Sequence, residues 1–267
     1  HYVPDDGHLA PKMDFVKGVA YPGDEVIETN RLLIIEVASK TQIPVDYEQV
    51  PVNPYGYTYF GSISREYGWW SKDGKKAYFV ATTRGCRKAR LIELNPDIGA
   101  TRILHEETSD TFVRLACFGD ENPLFLSLPQ TDECLWFSER SGYGHLYLFD
   151  LKTGEMKHQV TSGDWLVRDV IDYCPERREL ILQTMGRDKA INPYYKDICK
   201  VNIDTCELKA LITGNCDHYI HQRYDAASFR CVTFGAAGYR GFNGSSPTGN
   251  YIVLTRSRID TVPESIL

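Results

Sequence analysis

A strand–turn–strand unit recurs four times in this chain at nearly even intervals, and that recurrence constrains the fold more than any single motif. Residues 31–45 read RLLIIEVASKTQIPV, 89–106 ARLIELNPDIGATRILHE, 144–161 GHLYLFDLKTGEMKHQVT and 196–213 KDICKVNIDTCELKALIT. The starts at 31, 89, 144 and 196 lie 58, 55 and 52 residues apart. In the clearest copy, 145–149 alternates polar and apolar at period two. A turn cluster follows at 150–154, where Gly154 is free to take positive φ, and 155–161 returns as a strand.

The other half of each unit fits a four-stranded sheet. Strand candidates at 64–70 and 76–82 flank the turn 71–75, and those at 166–173 and 179–184 flank 175–178. A fifth unit offers 220–226, 229–234 and, after a glycine-rich loop, 250–255. The first, 1–52, is the weakest, because 4–23 is loop-like and proline-bearing. The third inserts FGDENPLFLSLPQ (118–130), expected as a loop with one added strand. No long segment sustains an i, i+3, i+4 pattern. A repeat of this length with four strands per unit is the signature of a β-propeller. The expected fold is therefore all-β: a propeller fragment of about five four-stranded antiparallel blades, at 1–52, 53–108, 109–162, 163–213 and 214–267. The 17 tyrosines suit it, since pleated half-buried faces favour such rings.

A net charge of −6 gives no footprint for nucleic acid or an anionic membrane. The sequence has no apolar run long enough for a transmembrane helix. It opens on His1 with no signal peptide, which reads as a piece of a longer protein; a processed mature protein is the alternative. Of the eight cysteines, none form CxxC. Their even number and C-terminal clustering point to disulfides in an oxidising compartment, against buried thiols as the plain alternative. Cys199 and Cys206 flank the turn 202–205, a placement that suits a cross-strand disulfide.

Catalytic and cofactor signals are weak. No G-x-S-x-G elbow is present, and 244–249 has its composition but not its spacing. His218 and His221 would point to opposite faces of a strand, so no shared metal is expected. The glycine-rich 235–244 does not join a strand to a helix, so no cofactor is expected either. Glu106 and Glu107 could grip an ammonium, but at a strand end they read as a solvated turn. Asn243-Gly244-Ser245 is an N-glycosylation sequon.

The run 136–150, WFSERSGYGHLYLFD, followed by QVTSGDWLV at 159–167, resembles the propeller of dipeptidyl peptidase IV-type serine peptidases, of the prolyl oligopeptidase family. Tyr21-Pro22-Gly23 resembles that family's Y-P-K-x-G loop, and 67–75 its W-S-P-D-G-K turn, with Lys72 where proline is usual. The stretch 215–231 is similar to one in membrane-bound members where two cysteines join successive strands, which implies a Cys216–Cys231 bond. The resemblance implies the C-terminal part of an eight-bladed propeller, with an α/β-hydrolase domain carrying Ser, Asp and His after residue 267. It implies an enzyme that removes N-terminal dipeptides with proline or alanine second. This chain would wall and gate the cleft without catalysing. The implied partners are the hydrolase domain of the same polypeptide, peptide substrates and a second copy in a homodimer, with a secreted, periplasmic or membrane-anchored location; a cytoplasmic one stays open. The family's paired glutamates lie upstream of His1, and neither Glu25 nor Glu106-Glu107 matches them. Arg114 is nearest to a substrate-facing family arginine, but its surroundings do not match and the role is not carried over. The rival readings are an interaction propeller from a catalytically inactive relative and a stand-alone periplasmic or surface propeller.

Overall fold

In the computed structural model the described residues are 23–27, 29–48, 50–51, 68–114, 125–219, 224–225, 230–231, 246 and 250–267. Among them there are strands and turns and no helix. β1 (Thr29–Asn30), β2 (Leu33–Ile35), β3 (Gln42–Pro44) and β4 (Val50–Pro51) form two separate ladders, β1 with β4 and β2 with β3. Sheet I holds β5 (Gly68–Trp70), β6 (Ala77–Thr82), β7 (Lys88–Leu94) and β8 (Thr101–Thr108). Sheet II holds β9 (Phe125–Leu128), β10 (Glu133–Ser138), β11 (His145–Asp150) and β12 (Met156–Gln159). Sheet III holds β13 (Leu166–Cys174), β14 (Glu179–Met185), β15 (Lys196–Asn202) and β16 (Leu208–Ile212). β17 (Asp217–Tyr219), β20 (Leu254–Arg258) and β21 (Thr261–Ile266) make the three-stranded sheet IV, while β18 (Tyr224–Asp225) pairs with β19 (Arg230–Cys231). Sheets I to III are antiparallel meanders in sequence order.

Burial on both faces of each sheet sets the architecture. Along β10, Cys134 and Trp136 pack toward sheet I while Leu135 and Phe137 pack toward sheet III. β11 repeats this, with Tyr147 and Phe149 on one side and Leu146 and Leu148 on the other. On β6, Tyr78 and Val80 face sheet II, and Phe79 and Ala81 face the β2–β3 ladder with Ile34 and Tyr47. Ile198 of β15 meets Leu254 of sheet IV, while Cys199 and Val201 turn back to sheet II. A strand alternates its side chains between two faces, so every central strand contributes to two cores. Trp136 is fully buried, and a large side chain removed from water stabilises by about 1.5–3 kcal/mol. The fourth strands, β8, β12 and β16, are more exposed than the central strands, and the first strand of sheet II, β9, is largely buried. These are stacked propeller blades.

The third-to-fourth-strand turns of sheets I, II and III and the β2–β3 turn share one geometry. Gly99 N–H donates to Asn95 O, Gly154 N–H to Asp150 O, Cys206 N–H to Asn202 O and Lys40 N–H to Glu36 O. Asn95, Asp150 and Asn202 also accept the next backbone N–H groups with their side-chain oxygens, at 2.7–3.0 Å. The residue that closes each turn is left-handed: φ is 59° at Lys40, 72° at Gly99, 81° at Gly154 and 61° at Cys206. It also meets the sheet before it. A Cβ at Gly99 would lie 2.1 Å from Pro44 O, one at Gly154 would lie 2.7 Å from Leu104 O, and the Cys206 thiol donates to Gln159 O at 3.4 Å.

This overturns the expected Cys199–Cys206 disulfide; both are free thiols. The register pairs Cys199 with Ala210 and Val201 with Leu208, so Cys206 belongs to the turn and does not face Cys199. Cys199 is buried between sheets II and III. Other expectations also shift. Among the described residues the first unit shows two short ladders, and 1–22 lies outside them. Among the described residues the fifth gives a three-stranded sheet and a separate pair, and its expected strand at 250–255 begins at Leu254, while most of the expected strands at 220–226 and 229–234 lies outside the described residues. Within 118–130, Phe125–Leu128 is the first strand of sheet II, not an addition to it.

The shared turn makes opposite forecasts at equivalent positions. Gly154→Ala should cost at least about 1–2 kcal/mol, from the left-handed backbone alone. Cys206→Gly should gain about 1 kcal/mol by removing the same penalty. Urea denaturation of both variants checks the pair.

Candidate functional site

In an antiparallel meander the connections after strands two and four lie on one side, and those after strands one and three on the other. The second side is compact: 71–76, 95–100, 129–132, 151–155, 175–178 and 203–207. It is tied by charge. Arg178 donates to Glu133 and to Asp204, each at 2.8 Å, and Lys157 also pairs with Glu133. Burial works to raise the Glu133 carboxyl, but Lys157, Thr131 and Arg178 hold it below the usual range. The first side is irregular among the described residues: 83–87, 109–114, 139–144, 160–165, 186–195 and 213–216. Phe112, Tyr143 and Tyr194 are exposed there. Binding residues concentrate on loops carried by a rigid scaffold, so this face is the candidate site.

Its first polar hub is Glu107. The carboxylate is only 13% exposed and accepts from Trp136 Nε1 at 2.8 Å, Arg140 Nη2 at 2.8 Å and Ser138 Oγ. His105 Nε2 lies 3.1 Å from Arg140 Nη2 and accepts from it. Arg140 also lies over the Tyr147 ring at 4.7 Å. Burial works to raise the Glu107 carboxyl, yet the hydrogen bonds from Ser138, Trp136 and Arg140 outweigh it and hold the pKa at about 2. Glu107 is thus no solvated turn. Glu106, its neighbour on the strand, points to the other face and pairs with Arg90 at 2.5 Å, so the two carboxylates do not converge on one ammonium.

His145 is the second hub. It is 1% exposed; Nε2–H donates to Gly163 O at 2.9 Å, and Nδ1 accepts from Thr161 Oγ1 at 3.0 Å. The same hydroxyl accepts from Leu146 N–H at 3.1 Å. Trp165 meets the His145 ring edge-on at 4.9 Å, and Arg187 lies 5.8 Å from the Trp165 ring. Burial pulls the imidazole below its usual value and keeps it neutral. Gly144 admits no side chain, because a Cβ there would lie 2.2 Å from the Phe137 ring. Nearby, Arg187 Nη1, Thr184 Oγ1 and Asp197 Oδ1 are buried without a hydrogen-bond partner, and burial pushes the Asp197 carboxyl up.

Neither hub is built for catalysis. Ser138 bonds directly to Glu107 with no base between them, and Thr161 is 3% exposed. A nucleophile needs an adjacent base and access to substrate. Of the sequence candidates, Arg114 sits partly buried in the segment 109–114 that follows β8, and Glu25 is exposed. Cys216 is a free thiol on the irregular face. Cys231 pairs with Tyr224 through its backbone, and its side chain lies outside the described residues, as do Asn243, His221 and the 235–244 loop. Among the described residues no cluster of His, Cys, Asp or Glu could hold a metal.

The stacked four-stranded meanders define the class, a β-propeller. Residues 31–234 match the family described as the dipeptidyl peptidase IV (DPP IV) N-terminal region, and the chain belongs to that family. A protein of Emericella nidulans named Probable dipeptidyl peptidase 4 is 22% identical over 241 residues, spanning 87% of this chain and 29% of the relative. The structure of a Bacteroides ovatus protein assigned as a dipeptidyl aminopeptidase IV superposes with a TM-score of 0.54 at 19% identity, covering 85% of this chain and 29% of that one. Porphyromonas gingivalis dipeptidyl peptidase 4 gives 0.51 at 12%, covering 86% and 28%. This chain spans under a third of the relatives it matches.

The hubs make stability fall with acid. The folded pKa of Glu107 is depressed, so its contribution is complete above about 4.5 and is lost as pH falls toward about 2, on the order of 3 kcal/mol. That of His145 is complete above about 6.5 and is lost as pH falls through its lower folded value. Glu107→Gln should lower stability at neutral pH and flatten the acid limb below about pH 4.5. Urea denaturation across pH checks this; an unchanged acid limb would count against the assignment.

Proposed function

We propose that this chain is the non-catalytic propeller portion of a dipeptidyl peptidase IV-like serine exopeptidase that removes N-terminal dipeptides with proline or alanine second. Its irregular face walls the cleft of a hydrolase domain in the same polypeptide and limits access to short peptides. The carrying observation is the family match over 31–234, in a chain whose Ser138, Glu107, Thr161 and His145 are all committed to internal bonds. Exposed Phe112, Tyr143 and Tyr194 give that face apolar area to set against a peptide or a facing domain. For the parent enzyme we infer a location outside the cytoplasm and assembly as a homodimer, a reading that the family relationship supports; no helix among the described residues is long and apolar enough to cross a membrane.

The purified chain should fold and leave an X-Pro-nitroanilide intact. Turnover by the chain alone, abolished by substituting a serine of its own, would refute the assignment of catalysis to another domain.

A further inference from the structure

We propose that Asp197, Thr184 and Arg187 hold one buried water between sheets II and III, in the place that the Glu107 carboxylate occupies between sheets I and II.

The repeat allows the two seams to be compared position by position. The offset of 52 residues that carries Gly154 to Cys206 carries His145 to Asp197. Across the ladder His145 pairs with Ser138 and Asp197 with Thr184, so Thr184 stands where Ser138 does. Between sheets I and II, Ser138 Oγ, Trp136 Nε1 and Arg140 Nη2 all donate to Glu107. The offset of 55 residues that carries Gly99 to Gly154 carries Glu107 to Ser162, which is exposed. Leu182 stands at the position of Trp136 and donates nothing. Gly186 stands at that of Arg140, and the guanidinium comes from the next residue: Arg187 lies 5.8 Å from the Trp165 ring, as Arg140 lies over Tyr147. The second seam thus keeps a hydroxyl and a guanidinium and lacks the carboxylate that the preceding sheet supplies to the first.

The groups left there define what can fill the place. Thr184 is 0% exposed and Asp197 2% exposed. Leu182 and Cys199, two residues along the same strands, belong to the core between sheets II and III, so period two turns Thr184 and Asp197 toward that seam. Thr184 Oγ1, Asp197 Oδ1 and Arg187 Nη1 are sealed from solvent and have no hydrogen-bond partner. The Cys199 thiol approaches Thr184, but its sulfur is a weak acceptor. Arg187 can only donate, an ionised Asp197 can only accept, and the Thr184 hydroxyl does either. Arg187 disfavours a cation at this place and Asp197 disfavours an anion. A water suits all three. It accepts from Arg187 Nη1 and Thr184 Oγ1 and donates to Asp197 Oδ1, and three such bonds are usual for a buried water. Each of these atoms left unpaired would cost its desolvation without return.

The site lies at the root of the 186–195 connection. Lys189 donates to Gly186 O at 2.9 Å and to Asp164 O, which fastens the connection to sheet II. The water fastens Arg187 to the second and third strands of sheet III. Tyr194 is carried on the same connection, so the bridge governs how firmly that part of the irregular face is held.

Crystals of the chain, at a resolution where ordered waters are placed, should show a water within about 3.2 Å of all three atoms. A direct Arg187–Asp197 bond, or no density between the three, would overturn the proposal. In solution, magnetic relaxation dispersion of the water oxygen counts long-lived internal waters. Thr184→Val should lose one and Thr184→Ser should keep it. Hydrogen-exchange protection across 186–195 should fall roughly fivefold in Thr184→Val and stay unchanged in Thr184→Ser, the effect of one lost hydrogen bond. An undiminished count of waters in Thr184→Val refutes the bridge. Should Thr184→Val fail to fold by circular dichroism, the crystal structure of the unaltered chain decides the matter.

Discussion

Two-sided burial of each sheet is the constraint on which the rest depends. Trp136 and Leu135 are adjacent on one strand, both fully buried, and packed into different cores. No central sheet can be satisfied by one neighbour, because removing either neighbour exposes half of its apolar side chains to water. Stability in such an array is a sum of sheet terms and nearest-neighbour interface terms. The polar hubs belong to the interface terms: Glu107 of sheet I is bound by Trp136 and Arg140 of sheet II, and Arg178 of sheet III reaches Glu133 of sheet II.

The motif that carries the family resemblance is, in physical terms, a set of packing and hydrogen-bond requirements. Ser138 and Arg140 complete the shell of Glu107, Gly144 leaves room for the Phe137 ring, and His145, Thr161, Gly163 and Trp165 close one buried network. Dense sequence similarity here reports how adjacent sheets are joined. Chemistry on a substrate would have to come from groups that are not already engaged.

The architecture was largely legible in the chain, because period-two alternation and Asx-type turns are local signals. The central hairpins of sheets I, II and III fall where alternation places them. What escaped was set by neighbours. Glu107 looked solvated because nothing local to it announces Trp136 and Arg140, 29 and 33 residues away. Phe125–Leu128 was obscured by the proline-bearing insertion around it. The strand Thr261–Ile266 follows a turn without glycine and contains Pro263, which weakens a strand reading although an edge strand tolerates it. Cys206 was misassigned for a different reason: aligned on Gly99 and Gly154, it stands at the left-handed turn position, and that alignment was available in the sequence alone.

The same turn position has a bearing on which side chains it tolerates. Against Pro44 and Leu104 the preceding sheet comes so near that only a hydrogen atom fits at Gly99 and Gly154, whereas against Gln159 there is room for a sulfur. Along the stack this contact is therefore close twice and relaxed once. Substitution at this position is therefore tolerated unequally: a side chain is shut out where sheet I meets the β2–β3 ladder and where sheet II meets sheet I, and is admitted at the seam of sheets II and III.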